Sequence, residues 1–480
     1  MTERRPLWID GQPVSGAGER ADINPSDTAD TIAVHAEAGR AEAEAAIAAA
    51  KAAAPAWALS GPQTRHDILK TAGDEILARR DEIGRLLARE EGKTLKEGIG
   101  ETVRAGQVFL FFAGETLRQT GDVLPSVRPG IEVQVTREPV GAVGVITPWN
   151  FPMAIPAWKI APALAHGNTV VFKPAELVPG CAWAMTEILH RAGLPPGVLN
   201  LVTGPGRVVG QAMLDAPALD AITFTGSTAT GRLIAEACVR HHRKFQLEMG
   251  GKNPLVVLDD ADLDLAVAAA LDGAFFSTGQ RCTASSRLIV TEGIHNRFVE
   301  RLAEAMRALT VDDALKPGTE IGPVVDETQL AQNLRYLDIA RAEGGNLRAG
   351  GERLSRATEG FYLSPALITD TTPAMTINRE EVFGPIASVL RVPDYEAALN
   401  AANDTEFGLS AGICTSSLKH ASHFRRHVEA GMVMVNLPTA GVDYHVPFGG
   451  RKRSSFGPRE QGAYAREFFT TVKTAYTRPG

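Results

Sequence analysis

Three stretches of this sequence carry residue types that could act together on a carbonyl carbon. Phe275-Phe276-Ser277-Thr278-Gly279-Gln280-Arg281-Cys282-Thr283-Ala284 sets a cysteine among small residues just after a helix-like run. Backbone N–H groups near such a thiol lower its pKa and supply a thiolate nucleophile; the plainer reading is a buried, inert cysteine. Phe245-Gln246-Leu247-Glu248-Met249-Gly250-Gly251 places a carboxyl in an apolar run that ends in paired glycines. Burial would raise the pKa of Glu248 and suit it to general-base work near neutrality, against the alternative of a half-exposed strand residue. Asn150, in Pro148-Trp149-Asn150-Phe151-Pro152 just past a strand-like run, could give its amide to an oxyanion or simply shape a turn between prolines.

A second group of residues points to a bound phosphate and ribose. Thr225-Gly226-Ser227-Thr228-Ala229-Thr230-Gly231 joins a strand-like run to a helix-like one, where glycine permits close approach and a helix N-terminus favours negative charge. The spacing is GxxxxG and not GxGxxG, so alone it is weak. Val171-Phe172-Lys173-Pro174-Ala175-Glu176 adds Lys173 and Glu176 at a strand end, where both could hold ribose hydroxyls. Glu176 would repel a 2′-phosphate, which favours NAD over NADP, unless the two are a solvated Lys/Glu pair of little consequence. The four cysteines, Cys181, Cys238, Cys282 and Cys414, form no CxxC pair and no His/Cys cluster at metal spacing. Neither a disulfide framework nor a zinc site is expected, and the three cysteines other than Cys282 read as inert core.

These residues need a scaffold of some size. At 480 residues the chain is too long for one simple core, so two or more domains are expected. Its 49 basic and 56 acidic residues give a net charge of -7, with no general attraction to nucleic acid or to anionic membrane surfaces. Met1 to Asp10 has no apolar run like a signal peptide, and the alanine-rich Glu42–Trp57 is too charged to span a bilayer; a cytoplasmic protein is expected. The first third reads as helical, over Ala41–Leu59, Arg65–Ala78 and Arg80–Glu91. From Gly141 strands alternate with helices: strands at Val143–Thr147, Thr169–Phe172, Leu199–Val202 and Ala221–Thr225, helices at Ala154–Ala165, Cys181–Ala192, Val208–Leu214 and from Gly226 to Arg240. That alternation implies βαβ units, a parallel sheet and ligands at the carboxyl ends of its strands. Leu255–Leu258, Leu288–Val290, Ala387–Leu390, Ala411–Cys414 and Val433–Val435 suggest a second α/β unit. Ile131–Arg137 and Phe468–Thr477 are strand-like but fit neither sheet, and an edge pairing within or between chains is the expectation.

Taken together, these motifs resemble the aldehyde dehydrogenase superfamily from about Leu7 to Thr477, in that family's order and spacing. The resemblance implies an α/β fold with a Rossmann-type cofactor domain (1–119 and 140–250), an α/β catalytic domain (251–450) and a small bridging β-sheet (120–139 and 463–480) that assembles homodimers or homotetramers. It implies Cys282 as nucleophile, Glu248 as general base, and Asn150 with the Cys282 N–H as oxyanion hole. Lys159 and Glu460 match residues that relay protons from the base. Cofactor contacts are implied for Ile146, Thr147, Pro148, Trp149, Lys173, Glu176, Gly206, Gly226, Ser227, Gly231 and Leu247. Glu381-Val382-Phe383-Gly384-Pro385 matches the motif whose glutamate holds the nicotinamide ribose and whose phenylalanine borders the ring, hence Glu381 and Phe383. Phe151, Ile155, Trp158, Val442 and Phe448 match an aldehyde tunnel.

Segments Gly279–Arg287, Asp443–Gly450 and Ser455–Gly462 further resemble the α-ketoglutaric semialdehyde (2,5-dioxovalerate) dehydrogenase branch, whose members can use NADP. Arg453 departs from it, where glycine is expected. Arg281, next to the nucleophile, could pair with a substrate carboxylate or sit in an internal ion pair. The implied reaction is NAD(P)-dependent oxidation of an aldehyde, a carboxylated semialdehyde above all, through a thiohemiacetal and a thioester. The alternatives are a dehydrogenase of broad specificity, a coenzyme-A-acylating enzyme, a cofactor-independent cysteine (thio)esterase and a non-enzymatic protein on this fold. Glu248 argues against the acylating enzyme, and the helical, basic setting of His241 and His242 against the esterase.

Overall fold

A computed structural model describes residues 2–119 and 121–479; Met1, Thr120 and Gly480, at the outer edges of the units expected above, lie outside the described residues. Short β-branched runs that are buried on both faces form the centre of two parallel sheets, and amphipathic helices cover them. In the first sheet the strands lie in the order Ser455–Phe456, Lys244–Glu248, Ala221–Thr225, Ala142–Ile146, Thr169–Lys173, Leu199–Leu201, Leu7–Ile9 and Gln12–Val14. The middle five are parallel, and antiparallel strands close both edges. Chain order reverses between Ala142–Ile146 and Ala221–Thr225. Such a switch point opens a crevice at the carboxyl ends of the two strands, and here it is bordered by Thr147–Trp149 and Thr225–Ser227.

The second sheet runs Asn346–Ala349, Ala366–Thr369, Ile386–Val392, Arg287–Thr291, Pro254–Val257, Ser410–Cys414 and Met432–Val435. All its pairings are parallel except that of Asn346–Ala349. A third, antiparallel sheet joins Thr470–Thr477, Glu132–Pro139 and Asp122–Pro125. It accounts for the two segments that fitted neither alternation, although Phe468 and Phe469 belong to a short helix, Arg466–Phe469, and are buried.

The first third is less helical than its periodicity implied. Residues before Gly39 form strands, including Gly18–Asn24 and the eleven-residue Asp27–Glu37. Their burial is partial and irregular, so no period-2 pattern marks them. The helix Leu95–Thr116 also went unread, although Thr94 and Glu97 form a capping box at its start. It packs beside Pro62–Ala78 and Ala154–Ala165 around Leu69, Ile76, Phe109, Phe112 and Ile160, and becomes a wall of the site. The segment Val208–Leu214 opens as a π-type turn at Gly206–Gly210 before one short helix, Gln211–Asp215. Among the described residues no helix is long and apolar enough to cross a membrane.

Candidate active site

Cys282 follows a tight turn. Ser277, Thr278 and Gly279 are consecutive left-handed residues (φ 51, 56 and 62°), a strained arrangement that needs outside support. Support comes from Glu97, whose Oε1 accepts from the Ser277 N–H at 2.7 Å and Oγ at 2.9 Å, and from Gln280, whose Oε1 accepts from the Val325 N–H at 3.0 Å. Gly279 is obligatory, since a Cβ there would lie 2.1 Å from the Gly384 carbonyl oxygen. Asn253 Nδ2 donates to the Cys282 and Ala284 carbonyls at 2.8 and 2.9 Å, fixing the backbone beyond the thiol.

The thiol itself is half-buried and borders two cavities. One, of about 320 Å³, is lined by Phe151, Ile155, Trp158, Arg281, Val442 and Phe448, among others. The other, of about 360 Å³, lies at the switch point and is lined by Pro148, Trp149, Asn150, Gly226, Ser227, Glu381 and Phe383, among others. The pKa expectation for Cys282 is overturned. Burial, then the nearby Glu381 and Glu248 carboxylates, push the thiol up to about 12, and its own backbone N–H only partly offsets them.

Asn150 is buried, and its Nδ2 donates to the Gln280 carbonyl at 2.9 Å. The amide is thus tethered two residues before the thiol, with a second N–H left beyond that bond. Glu248, at the end of its strand, is fully buried but lines neither cavity bordered by Cys282. Its Oε2 accepts from Ser455 Oγ at 2.5 Å. Burial and the neighbouring Glu460 hold its pKa well above the usual range, with Ser455 and Lys159 pulling it back. Lys159 and Glu460 form a buried ion pair; Lys159 also donates to Thr223 Oγ1 at 2.8 Å, and Glu460 accepts from Trp158 Nε1 at 2.6 Å.

At the switch point, Ser227 caps the helix Thr228–Arg240 by accepting from the Thr230 N–H. Thr147 Oγ1 and Thr225 Oγ1, at the ends of the two central strands, are buried without a partner. Gly231 packs on Met249, whose sulfur would lie 2.4 Å from a Cβ, so helix and strand meet closely. Glu381 accepts from the Gly251 N–H at 2.8 Å, and a Cβ on Gly250 would lie 2.1 Å from its carboxylate. Burial raises Glu381 to about 7. Phe383 meets Trp149 edge-on at 5.3 Å between centroids. Orphaned hydroxyls, close-approach glycines and a capped helix N-terminus together fit a dinucleotide.

Other residues singled out in the sequence stand around this crevice without lining it. Ile146 and Lys173 pair across neighbouring strands, and Leu247 is buried in its strand. Lys173 is buried with Nζ donating to the Pro174 carbonyl at 3.0 Å. Glu176 accepts from the Gly206 N–H at 2.8 Å and from Arg20 Nη1 at 3.0 Å. Arg20 offsets the charge on Glu176, which weakens the case that this carboxylate excludes a 2′-phosphate. On the other side of Cys282, Arg281 is tied to Asp272 at 3.2 Å and Glu97 at 3.4 Å.

Sequence reasoning missed Lys93, Glu97, Glu101 and Arg104, which all line the cavity of about 320 Å³. The capping-box spacing Thr94-x-x-Glu97 is the signal that would have placed Glu97, Glu101 and Arg104 on one helix, with Lys93 just before its N-cap. Lys93 pairs with Glu101 at 2.7 Å, and Glu101 accepts from the Met153 and Ala154 N–H groups at 2.9 and 3.0 Å, which anchors the segment after Asn150.

Residues 13–475 match the sequence profile described as the aldehyde dehydrogenase family. The chain is 45% identical over 478 residues to the alpha-ketoglutaric semialdehyde dehydrogenase of Bacillus subtilis, with 98% of each chain covered. It superposes with a TM-score of 0.96 on betaine aldehyde dehydrogenase from Staphylococcus aureus in complex with NAD+, at 33% identity over 99% of this chain and 95% of that one. An NADP-dependent enzyme of E. coli gives a TM-score of 0.96 at 35% identity, covering 99% of this chain and 98% of that one.

Proposed function

Because the chain belongs to the aldehyde dehydrogenase family, we propose that it oxidises a carboxylated semialdehyde, such as α-ketoglutaric semialdehyde, to the acid through a thioester on Cys282, with NAD or NADP as acceptor. The observation that carries the reading is the position of Cys282 on the border of two cavities, one mostly apolar and one at the switch point. The identity to the Bacillus subtilis enzyme supports the substrate, and the NAD+ complex and the NADP-dependent relative support both cofactors. On this reading the cofactor is held by 1–119 and 140–250, the thiol is carried by 251–450, and 120–139 with 463–480 bridges copies of the chain. The exposed Val123, Leu124, Val472 and Tyr476 on the three-stranded sheet support a homo-oligomer.

In the first step Cys282 Sγ bonds to the aldehyde carbon, while the thiol proton passes to Glu248. The free N–H of Asn150 and the backbone N–H of Cys282 donate to the oxyanion; losing one such donor costs about 2.7–4 kcal/mol of transition-state stabilisation. The dinucleotide, when bound, supplies a hydride acceptor, which turns the adduct into a thioester. Ser227, the N-terminus of helix Thr228–Arg240 and Thr225 would hold its phosphates, Glu381 and Phe383 its nicotinamide end, and Lys173 with Glu176, beside the crevice, its adenosine ribose. Glu248 releases the thiol proton through Glu460 and Lys159, and then takes a second proton from the water that attacks the acyl carbon. The C–S bond breaks, Cys282 Sγ takes back a proton from the new acid as the carboxylate leaves, and the second proton follows the first out through Glu460 and Lys159.

A panel of carboxylated and neutral aldehydes with NAD and with NADP tests the reading. Oxidation is expected to be fastest with the carboxylated set. Cys282→Ala is expected to abolish turnover, and activity retained in that variant refutes the assignment. Glu248→Gln is expected to slow turnover by about 10²–10⁴-fold while an acylated Cys282 accumulates, detectable by intact-mass measurement.

A further inference from the structure

The cavity of about 320 Å³ holds three cations, Lys93, Arg104 and Arg281, and two are already matched by carboxylates. Lys93 pairs with Glu101 at 2.7 Å, and Arg281 with Asp272 and Glu97 at 3.2 and 3.4 Å. Arg104 is different: Glu101 and Asp443 act on it only through space, and among the described residues no carboxylate bonds it directly. It lies one turn beyond Glu101 on the helix Leu95–Thr116, with its guanidinium over the Trp158 ring at 5.4 Å. Its Nη2 donates to Gln461 Oε1 at 3.1 Å, a neutral acceptor, and its Nε is buried without a partner. Gln461 is itself fully buried, has left-handed backbone (φ 60°), and has an Nε2 that also lacks a partner. Buried donors left unpaired beside a full positive charge are costly unless an anion completes them. Phe151, Ile155, Trp158 and Phe448, which also line the cavity, offer only carbon surface and one indole N–H, and that N–H is given to Glu460.

We propose that Arg104, oriented by Gln461, binds the distal carboxylate of the substrate and so selects ω-carboxylated aldehydes; this rests on the reading of the chain as a carboxylated-semialdehyde dehydrogenase. The guanidinium takes the carboxylate, a planar acceptor that matches its donor fork. The apolar lining takes the carbon chain, and the aldehyde end reaches Cys282 on the same cavity wall. Arg281 holds the cysteine loop to Glu97 and to Asp272, and is a positioning residue. Gln461 is one too, since it acts through Arg104. The carboxylate contact therefore falls on a helix that sequence reasoning did not read, and not on the arginine adjacent to the nucleophile.

The test compares kcat/KM for glutaric semialdehyde and for pentanal, which have equal chain length and differ by one carboxylate. Arg104→Gln is expected to lower the ratio of the two by about 10- to 100-fold, mainly through KM for the acid substrate, with partial recovery in Arg104→Lys. Arg281→Ala is expected to leave the ratio in place. An unchanged ratio in Arg104→Gln, or a drop confined to Arg281→Ala, overturns the proposal. Phenylglyoxal labelling of the wild-type enzyme, mapped by mass spectrometry, decides the case where the variant does not fold. Glutarate is expected to protect Arg104, and protection of Arg281 alone overturns the assignment. A wild-type enzyme that oxidises neither aldehyde sinks the parent reading only, since the labelling still decides Arg104.

Discussion

Cys282 sits where its anion is disfavoured. Burial and the carboxylates of Glu381 and Glu248 put its pKa at about 12, so in the free enzyme the thiol keeps its proton at neutrality. The thiolate fraction rises about tenfold per pH unit below that value. Alkylation by iodoacetamide is therefore expected to be slow at pH 7 and to climb through pH 9 without a plateau; a plateau near neutrality contradicts this electrostatic account. Glu381, raised to about 7, is ionised at pH 9 and is the charge that acts most strongly on the thiol after burial itself. Glu381→Gln should then speed alkylation at pH 9, and a slower reaction counts against the assigned cause.

Two short elements carry that residue chemistry, and each has one position that its geometry makes intolerant. The Glu381 carboxylate closes over Gly250, where a Cβ would meet it at 2.1 Å. Gly250→Ala must displace the carboxylate or the strand end, a misfit costing about 1–3 kcal/mol. It is expected to lower the melting temperature and raise KM for the dinucleotide, and unchanged values for both show that the contact is soft. The turn between Arg451–Lys452 and Ser455–Phe456 is tolerant by contrast. Its left-handed residue is Lys452 (φ 52°), and Arg453 reaches an exposed ion pair with Glu406 at 2.6 Å. The glycine expected there by resemblance is thus not required by the backbone. Arg453→Gly is expected to change stability by less than about 1 kcal/mol and to leave turnover unchanged, as measured by urea denaturation and initial rates.

Across the whole molecule, buried titratable groups tie stability to pH, and an exposed sheet is the surface proposed to meet other copies. His166 follows the helix Ala154–Ala165, and burial, then Arg65 and other arginines, depress its pKa to about 4. The unfolded chain takes this proton near pH 6.5 and the folded chain does not, so stability is lost as pH falls from 6.5 towards 4, at about 1.4 kcal/mol per unit. Replacing His166 by asparagine should therefore cost about 2 kcal/mol less at pH 5 than at pH 7, in denaturant titrations at the two values. An equal cost at both indicates that the imidazole is protonated in the folded state. Val472 is 61% exposed on the three-stranded sheet and Val123 83%. Val472→Lys with Val123→Lys is expected to shift the mass seen by light scattering toward the monomer, and an unaltered mass removes this sheet from the interface.

Much of the α/β scaffold was legible from local patterns. The strand Ala221–Thr225 and the helix Ala154–Ala165 fall where the alternation of short apolar runs with longer ones placed them, because both are buried on every face and are apolar throughout or nearly so. The strands Gly18–Asn24 and Asp27–Glu37 were not legible, since partly exposed strands leave no such imprint. Motif order alone named Cys282, Glu248 and Asn150 as a set. The tertiary structure decided what no neighbouring residue encodes: that Glu248 turns to Ser455, that Arg20 meets Glu176, that Arg281 is matched by Glu97 and Asp272, and that Arg104 bonds no carboxylate among the described residues. Those outcomes depend on contacts between groups up to several hundred residues apart. A side chain's charge partners and burial, and with them its pKa, belong to the packing of the whole chain and not to its local sequence.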